Sequence, residues 1–537
     1  MNMQTTLGEI FAVHQIGFPI LSLIVFLPAL TAIVIVFLKD ETEMKVFAVS
    51  STAISFLLSA LLPLFFFGNT ADMQFVEQVN WIPAIGASYH LGIDGISLLL
   101  VILTSFLSVL VVLFSWNGIH TMKQYLICIL TLTTTLLGVF VAINLFLFFL
   151  FWEIMLIPMY FLIKVWGGDQ RDYASLKFVL YTLLGSVLML IGFVMLALNY
   201  QDFATVNALP KTLSFDLLDL LEAPIPPDTQ MTIFLLLFFG FAFKVPMFPF
   251  HTWLPDAHVQ APTAGSVLLA GVLLKMGTYG FIRFSLPLLP NASQVAAPFM
   301  LGLAVVGIVY GALLALAQDD MKKLIAYSSI SHLGFVVLGI FTLTETGVTG
   351  AIIQMFNHGI STAGLFFVVG FLYNRRHTKE IAAFGGLSKQ MPVLAGFYLL
   401  ISLSSLAFPG TNGFVGELLI LFSVVEEGRT LYYLIPAIAG VLLGASYLFW
   451  LYQRVMLGEI THEENRSLSD INRWEMSICA GLAVFILWVG FYPLPFIKTT
   501  EGSVEYVLSR TTMSPSEEDD DLASSPPATH AGETDDR

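Results

Sequence analysis

A chain of 537 residues that is 57% hydrophobic and 11% charged, with a mean hydropathy of +0.83, is not a water-soluble domain, in which about a quarter of the residues are charged. The net charge of −15 is a poor guide to partners, because eight of the 38 acidic residues lie between Glu517 and Asp536. That Pro- and Ser-containing tail has the composition of a disordered segment, and nucleic acid is not an expected partner.

Apolar runs of about twenty residues, each able to cross roughly 30 Å of hydrocarbon as a helix, recur from Gly17 almost to Phe496. Fourteen are expected in chain order: 17–38, 44–67, 93–116, 122–142, 143–165, 172–199, 230–250, 258–287, 296–317, 321–343, 347–373, 391–426, 431–457 and 473–495. The fold class is therefore an all-α polytopic membrane protein, and its first partner is the lipid bilayer. Residues 1–16 contain no Lys or Arg, unlike a signal peptide, so the first run reads as a retained helix.

Loops that follow odd-numbered runs hold fifteen of the 23 basic residues: Lys39, Lys45, Lys123, Lys164, Arg171, Lys177, Lys322, Lys323, Arg375, Arg376, Lys379, Lys389, Arg454, Arg466 and Arg473. Basic loops face the cytoplasm. Both termini then lie on the opposite side, which is periplasmic in a bacterial inner (plasma) membrane. Lys211, Arg283 and Arg429 are expected in loops on that side, with Lys498, Arg510 and Arg537 in the C-terminal segment.

Four charges fall at membrane depth, where each costs on the order of 2.5–3.5 kcal/mol even on the lenient insertion scale. Glu153 sits about ten residues from either end of its run, or roughly 15 Å at 1.5 Å per residue. Lys244 precedes Pro246 and Pro249, each of which removes a helical N–H and disrupts the turn before it. Lys275 lies near the centre of the eighth run, and Glu417 follows a second interruption at Pro409, Gly410 and Gly413. Paired helix breaks in two halves are the signature of inverted-repeat transporters. The expected organisation is residues 1–121 as three leading helices, 122–290 and 291–458 as two inverted five-helix repeats, 459–500 as the last helix and 501–537 as the tail.

Buried charges can also be structural ion pairs. Proton transfer is the better reading, because a desolvated Lys loses its proton readily unless a carboxylate stands nearby. His251, His258, His332 and His358 supply candidate relay steps. Ser328, Ser329, Ser331, Asn357, Ser361 and Thr362 on the two helices carrying His332 and His358 suggest a hydrated polar axis.

Other chemistries find little support. A cytochrome b-like chain would offer paired histidines on two helices for two haems, and His251, Asp256 and His258 match no HExxH zinc motif. Phosphate loops, dinucleotide fingerprints and nucleophile elbows are missing from the sequence. Cys128 and Cys479 form neither a CxxC pair nor an iron-sulfur ligand set. No metal or redox cofactor is expected in this chain.

The segment FKVPMFPFHTWLPDAHVQAPTAGSVLLAGVLLKMGTYGFIR, from Phe243 to Arg283, closely resembles the M-type, or chain 4, antiporter-like subunits of NADH-quinone oxidoreductase. YHLGIDGISLLLVILT from Tyr89, FWEIMLIPMYFLIKVWGG from Phe151, KKLIAYSSISHLGFVVLGIF from Lys322 and FNHGISTAGLFFVVG from Phe356 fit the same family. The resemblance spans nearly all of the helical region and leaves out the acidic tail. It implies one proton channel per chain inside a large respiratory complex, with FMN, iron-sulfur clusters and quinone chemistry in other subunits and antiporter-like membrane subunits as neighbours. It further implies that Lys244 is the central proton site, Glu153 its tuning partner, Lys275 the link along the axis and Glu417 the terminal site. Related antiporter-like subunits generally carry Lys at that last place, so Glu417 points to the M type.

Three alternatives remain. The D-type subunit of a multisubunit cation/proton antiporter would exchange Na⁺ for H⁺ without redox chemistry, but the Phe243–Arg283 segment fits the respiratory subunit better. A photosynthetic relative taking electrons from ferredoxin fits the Phe151 motif less well. A purely structural membrane subunit would use the charges only to hold helices together.

Overall fold

The computed structural model describes residues 7–116, 118–209, 213–426, 428 and 430–512. Lys211, Arg429, Arg537 and the acidic cluster from Glu517 lie outside the described residues. Within them the chain is mostly helical, and twelve helices are long and apolar enough to cross a membrane. Two further apolar units are interrupted: Pro227–Lys244 is followed by Trp253–Gln260, and Pro392–Ser405 by Asn412–Glu426.

Helix starts follow local chemistry. Asp40, Asp94, Asn144, Asp320 and Asn472 each accept a backbone N–H of the first turn they precede, which satisfies donors that a helix cannot satisfy itself. Two helices lie at the centre: the spans within Thr263–Leu288 and Glu345–Arg376 are wholly buried inside the protein. Thr263–Leu288 is not uniform, because π-helical turns at Leu269–Leu273 and Phe281–Ser285 flank Lys275–Gly280. Such turns in an α-helix often mark functional positions.

Both expected breaks are present. Pro227–Lys244 ends at Lys244, and the chain resumes helix at Trp253, whose Nε1 donates to the Phe243 carbonyl at 2.8 Å. Pro392–Ser405 and Asn412–Glu426 are joined by a turn in which Thr411 Oγ1 donates to the Phe408 carbonyl at 2.7 Å. Freed backbone groups at membrane depth are thus met by protein donors. The second turn is anchored to the central helix, because Asn357 Nδ2 donates to the Asn412 carbonyl at 2.6 Å and Ser361 Oγ is 2.8 Å from Ser404 Oγ.

Gly413 permits this anchoring: a Cβ there would stand 2.1 Å from the Ser404 carbonyl oxygen. Gly413→Ala is expected to destabilise the break by about 1–3 kcal/mol, the range for overpacking against a neighbour that cannot yield. A lower thermal midpoint and less assembled protein on a native gel check this.

The helical membrane fold is as expected, and two finer readings, of the tail and of Arg283, are corrected. Beside the helices lies a three-stranded sheet, in which strand β1 (Glu9–Phe11) pairs in parallel with β2 (Met73–Ile82), and β2 pairs antiparallel with β3 (Ala87–Ile93). These strands are too short to register in a search for twenty-residue runs. Residues 501–512, expected to open the tail, are helical instead: Leu494–Thr512 buries Thr500, Ser503, Val504, Val507 and Thr511 on one face. Arg283, expected in a loop, is buried in the second π-turn, where its Nη2 donates to Asp94.

Candidate functional site

Lys275 is fully buried. Its Nζ donates to the carbonyl of Ala270, which lies in the π-turn before it, and to His358 Nδ1 at 2.7 Å. His358, on the other central helix, faces His332 with ring centroids 5.6 Å apart. His332 Nδ1 lies 3.0 Å from Glu417 Oε1, and Gln354 Nε2 donates to the same oxygen at 3.1 Å. On its other side His332 Nε2 meets Tyr447 OH at 3.4 Å and Ser405 Oγ at 3.5 Å. Four of the expected site residues therefore form one row: Lys275, His358, His332, Glu417.

Glu417 reaches the row because the second break ends one turn before it. The break starts a new helix at Asn412, and the carboxylate enters the core 3% exposed. With His332 and Gln354 holding Oε1, the group has the hydrogen-bond partners that a buried polar group needs.

Lys244 and Glu153 lie beside this row. Lys244 is 1% exposed; its Nζ sits 4.7 Å from the Trp152 ring centroid and 3.9 Å from Met155 Sδ. A desolvated cation over Trp gains about 2 kcal/mol. Glu153, between those two residues on the last turn of Leu145–Ile154, interacts with Lys244 through space but makes no ion pair with it among the described residues, and its Oε1 has no partner there. The Lys244 segment touches the central helix at Gly277: a Cβ there would stand 2.6 Å from Val245 Cγ2 and 2.8 Å from the Phe241 carbonyl oxygen. The absent side chain lets the helix bearing Lys275 close on the end of the broken helix.

His251 and His258 join no hydrogen-bonded row. His258 is fully buried, stacked on Phe366 at 4.7 Å, with neither ring nitrogen bonded among the described residues. His251 packs against Phe248 and Tyr310. Ser329 and Ser331 turn their hydroxyls to backbone carbonyls, whereas Asn357 and Ser361 tie down the second break.

Sequence reasoning missed Gln354, Tyr447 and a buried cluster of Asp94, Ser97, Tyr279 and Arg283. Gln354 was within reach, one helical turn before His358 on the same face. It also missed His90, which bridges the strand end, with Nδ1 2.5 Å from Asp216 Oδ2 and Nε2 2.8 Å from Glu9 Oε1. Burial pushes the His90 imidazole pKa down, but hydrogen bonds to Asp216 and Glu9 outweigh it and raise the value to about 9.

A folded pKa above the ordinary 6.5 means that the stabilisation is fully present below about 6.5 and is lost as pH rises through about 9. The thermal midpoint of the purified protein is expected to fall between neutral pH and about 10 more steeply than that of His90→Gln, which has no such proton to lose. Parallel curves would refute this.

Residues 142–444 match the family described as NADH:quinone oxidoreductase/Mrp antiporter, TM. The chain is 44% identical to NADH-quinone oxidoreductase subunit M of Rickettsia typhi, over 91% of this chain and 99% of that one. It is similar in structure to a chain of respiratory complex I from Thermus thermophilus with bound NADH, with a TM-score of 0.83, 29% identity and coverage of 92% and 100%. A chain of the Mrp complex from Dietzia sp. shares the fold with a TM-score of 0.77 at 18% identity.

Proposed function

The chain belongs to the NADH:quinone oxidoreductase/Mrp antiporter transmembrane family, and from that premise we propose that it is the proton-translocating M-type membrane subunit of an NADH-quinone oxidoreductase. Its role is to couple electron transfer from NADH to quinone, performed elsewhere in the complex, to proton movement through its own buried residues. The observation that carries this reading is the row Lys275–His358–His332–Glu417, which joins the first half of the chain to the second broken helix.

The chemistry follows from the groups. Lys275 donates to His358 Nδ1, so the other ring nitrogen, which has no protein partner among the described residues, is free to exchange a proton with the His332 side. His332 touches the Glu417 carboxylate and passes a proton to or from it as the imidazole changes tautomer. Lys244 with Glu153 feeds the row from the first break: movement of the Glu153 charge alters how readily the desolvated ammonium releases its proton. His251 and His258 serve as relay steps through water.

We read 122–290 and 291–458 as the two inverted repeats, and other antiporter-like membrane subunits of the complex as the neighbours. FMN and iron-sulfur clusters belong to other subunits. The membrane is the bacterial inner membrane, with both termini periplasmic.

The cation/proton antiporter reading shares the fold but lacks the 44% identity to a subunit M over nearly the whole chain. Purification of the tagged chain in mild detergent separates the two. Comigration with flavin and iron-sulfur subunits, together with NADH-quinone reductase activity, is expected; comigration with small antiporter subunits alone would overturn the proposal.

A further inference from the structure

Of the two histidines in the row, His332 alone meets side chains at both ring nitrogens among the described residues. Its Nδ1 faces Glu417, and its Nε2 faces the hydroxyls of Tyr447 and Ser405 at 3.4 and 3.5 Å. These partners come from both sides of the second break. Ser405 is the last residue of Pro392–Ser405, Glu417 belongs to Asn412–Glu426, and Tyr447 stands on the next helix, Thr430–Met456. The imidazole is therefore held between the two pieces of one interrupted helix.

Tyr447 is fully buried, and a Phe would fill the same core. What the hydroxyl adds is a second polar partner: Ser328, one helical turn before His332, is hydrogen-bonded to it. Ser328 Oγ gives its own proton to the Ile325 carbonyl at 2.8 Å, so its oxygen is left to accept.

A neutral imidazole carries its proton on one nitrogen or the other, so a partner that only donates or only accepts suits one tautomer and strands the other. A hydroxyl does both. With Glu417 ionised, His332 Nδ1 donates to the carboxylate, and the bare Nε2 accepts from Tyr447 or Ser405. With Glu417 protonated, its O–H donates to Nδ1, and Nε2 donates to the same two oxygens. The Tyr447 proton then turns to Ser328 Oγ. Neither nitrogen is left unmet in either state, and the change needs only rotation of hydroxyls.

We propose that Tyr447 and Ser405 are positioning residues for His332, whose hydroxyls hold the ring against Glu417 in both of its tautomers. The inference rests on the proton-conducting reading of the row. When the ring gives its Nδ1 proton to the Glu417 carboxylate and takes one up at Nε2 from the His358 side, the hydroxyls turn from donating to accepting. Neither of them gains or loses a proton.

The test uses the whole complex in proteoliposomes, reading assembly, coupled NADH-quinone turnover and the effect of D₂O on that turnover. Tyr447→Phe keeps the ring and Ser405→Ala keeps the helix end. Each is expected to assemble and to lower turnover by about threefold, the scale of one modest hydrogen bond, because the other hydroxyl remains. The double variant Tyr447→Phe with Ser405→Ala is expected to lose about thirtyfold, approaching the roughly hundredfold that a misplaced reacting group costs. That loss exceeds the two single losses multiplied, as expected where two groups share one role, and it comes with a larger D₂O effect because the proton step now limits turnover. Tyr447→Phe with Ser405→Thr, which keeps one hydroxyl, is expected to stay near threefold.

Equal losses in the Ala and Thr double variants, or a slow double variant with an unchanged D₂O effect, would place the effect in packing and overturn the inference. Normal turnover in the assembled double variant, with Glu417→Gln slow, would overturn it alone. Normal pumping in Glu417→Gln would overturn the row and the inference together. If the double variant does not assemble, Tyr447→Phe decides: a threefold loss with a larger D₂O effect supports the role, and unchanged values refute it.

Discussion

Lys244→Ala is expected to leave the complex assembled and to lower coupled NADH-quinone turnover by about a hundredfold, the low end of what a positioned proton-transfer group supplies. The structure explains why assembly survives. Lys244 is the last residue of its helix, and its Nζ is held by the Trp152 ring and Met155 Sδ instead of a carboxylate. Ala is a good helix former, and removing the ammonium strands no buried anion in direct contact with it. The lost cation–π contact of about 2 kcal/mol is offset by no longer burying a charge. Glu153→Gln should act in the same direction, because it removes the charge that Lys244 senses. Reductase assays and dye-monitored proton uptake on the purified complex check both, and an assembled Lys244→Ala variant with normal pumping would sink the assignment.

Glu417→Gln is expected to lower coupled turnover by about a hundredfold with little effect on stability. Gln has nearly the same shape, its carbonyl oxygen can still accept from Gln354 Nε2, and its amide can still meet His332. What it cannot do is carry a negative charge or accept a transferable proton. Glu417→Ala is the contrasting variant: it loses the same function and leaves His332 and Gln354 without their buried partner, a further destabilisation of about 1–3 kcal/mol. Turnover separates neither variant from the other, but the thermal midpoint does. A Glu417→Gln complex that pumps normally would remove the carboxylate from the mechanism and leave it a packing role.

Much of the fold was legible because a membrane imposes simple rules. Runs of apolar residues gave helices close to those found, and Pro and Gly located both interruptions, since a missing N–H or a residue without Cβ disrupts a helix wherever it lies. Reading by twenty-residue apolar windows had a blind side. It passed over β2 and β3, which need only short alternating segments, and over Leu494–Thr512, whose core positions at 500, 503, 504, 507 and 511 do keep helical spacing. Arg283 was misplaced for a different reason: its partner Asp94 is 189 residues away, so nothing local announces that the charge is neutralised.

The sequence by itself determined that this protein has helices able to span a membrane and where two of them break, because an apolar run and a Pro or Gly that interrupts it act locally whatever surrounds them; it also set the expectation that Glu153, Lys244, Lys275 and Glu417 lie deep, because a helix rises about 1.5 Å per residue. Tertiary structure alone decided which of them meet. Lys275 finds His358 across 83 residues, Glu417 finds His332 across 85, and Lys244 rests on Trp152 instead of pairing with Glu153. Depth is a property of one helix, whereas a lateral neighbour depends on how two helices rotate and close on each other. That closure is set by small residues such as Gly277 and Gly416, and their partners lie on other helices.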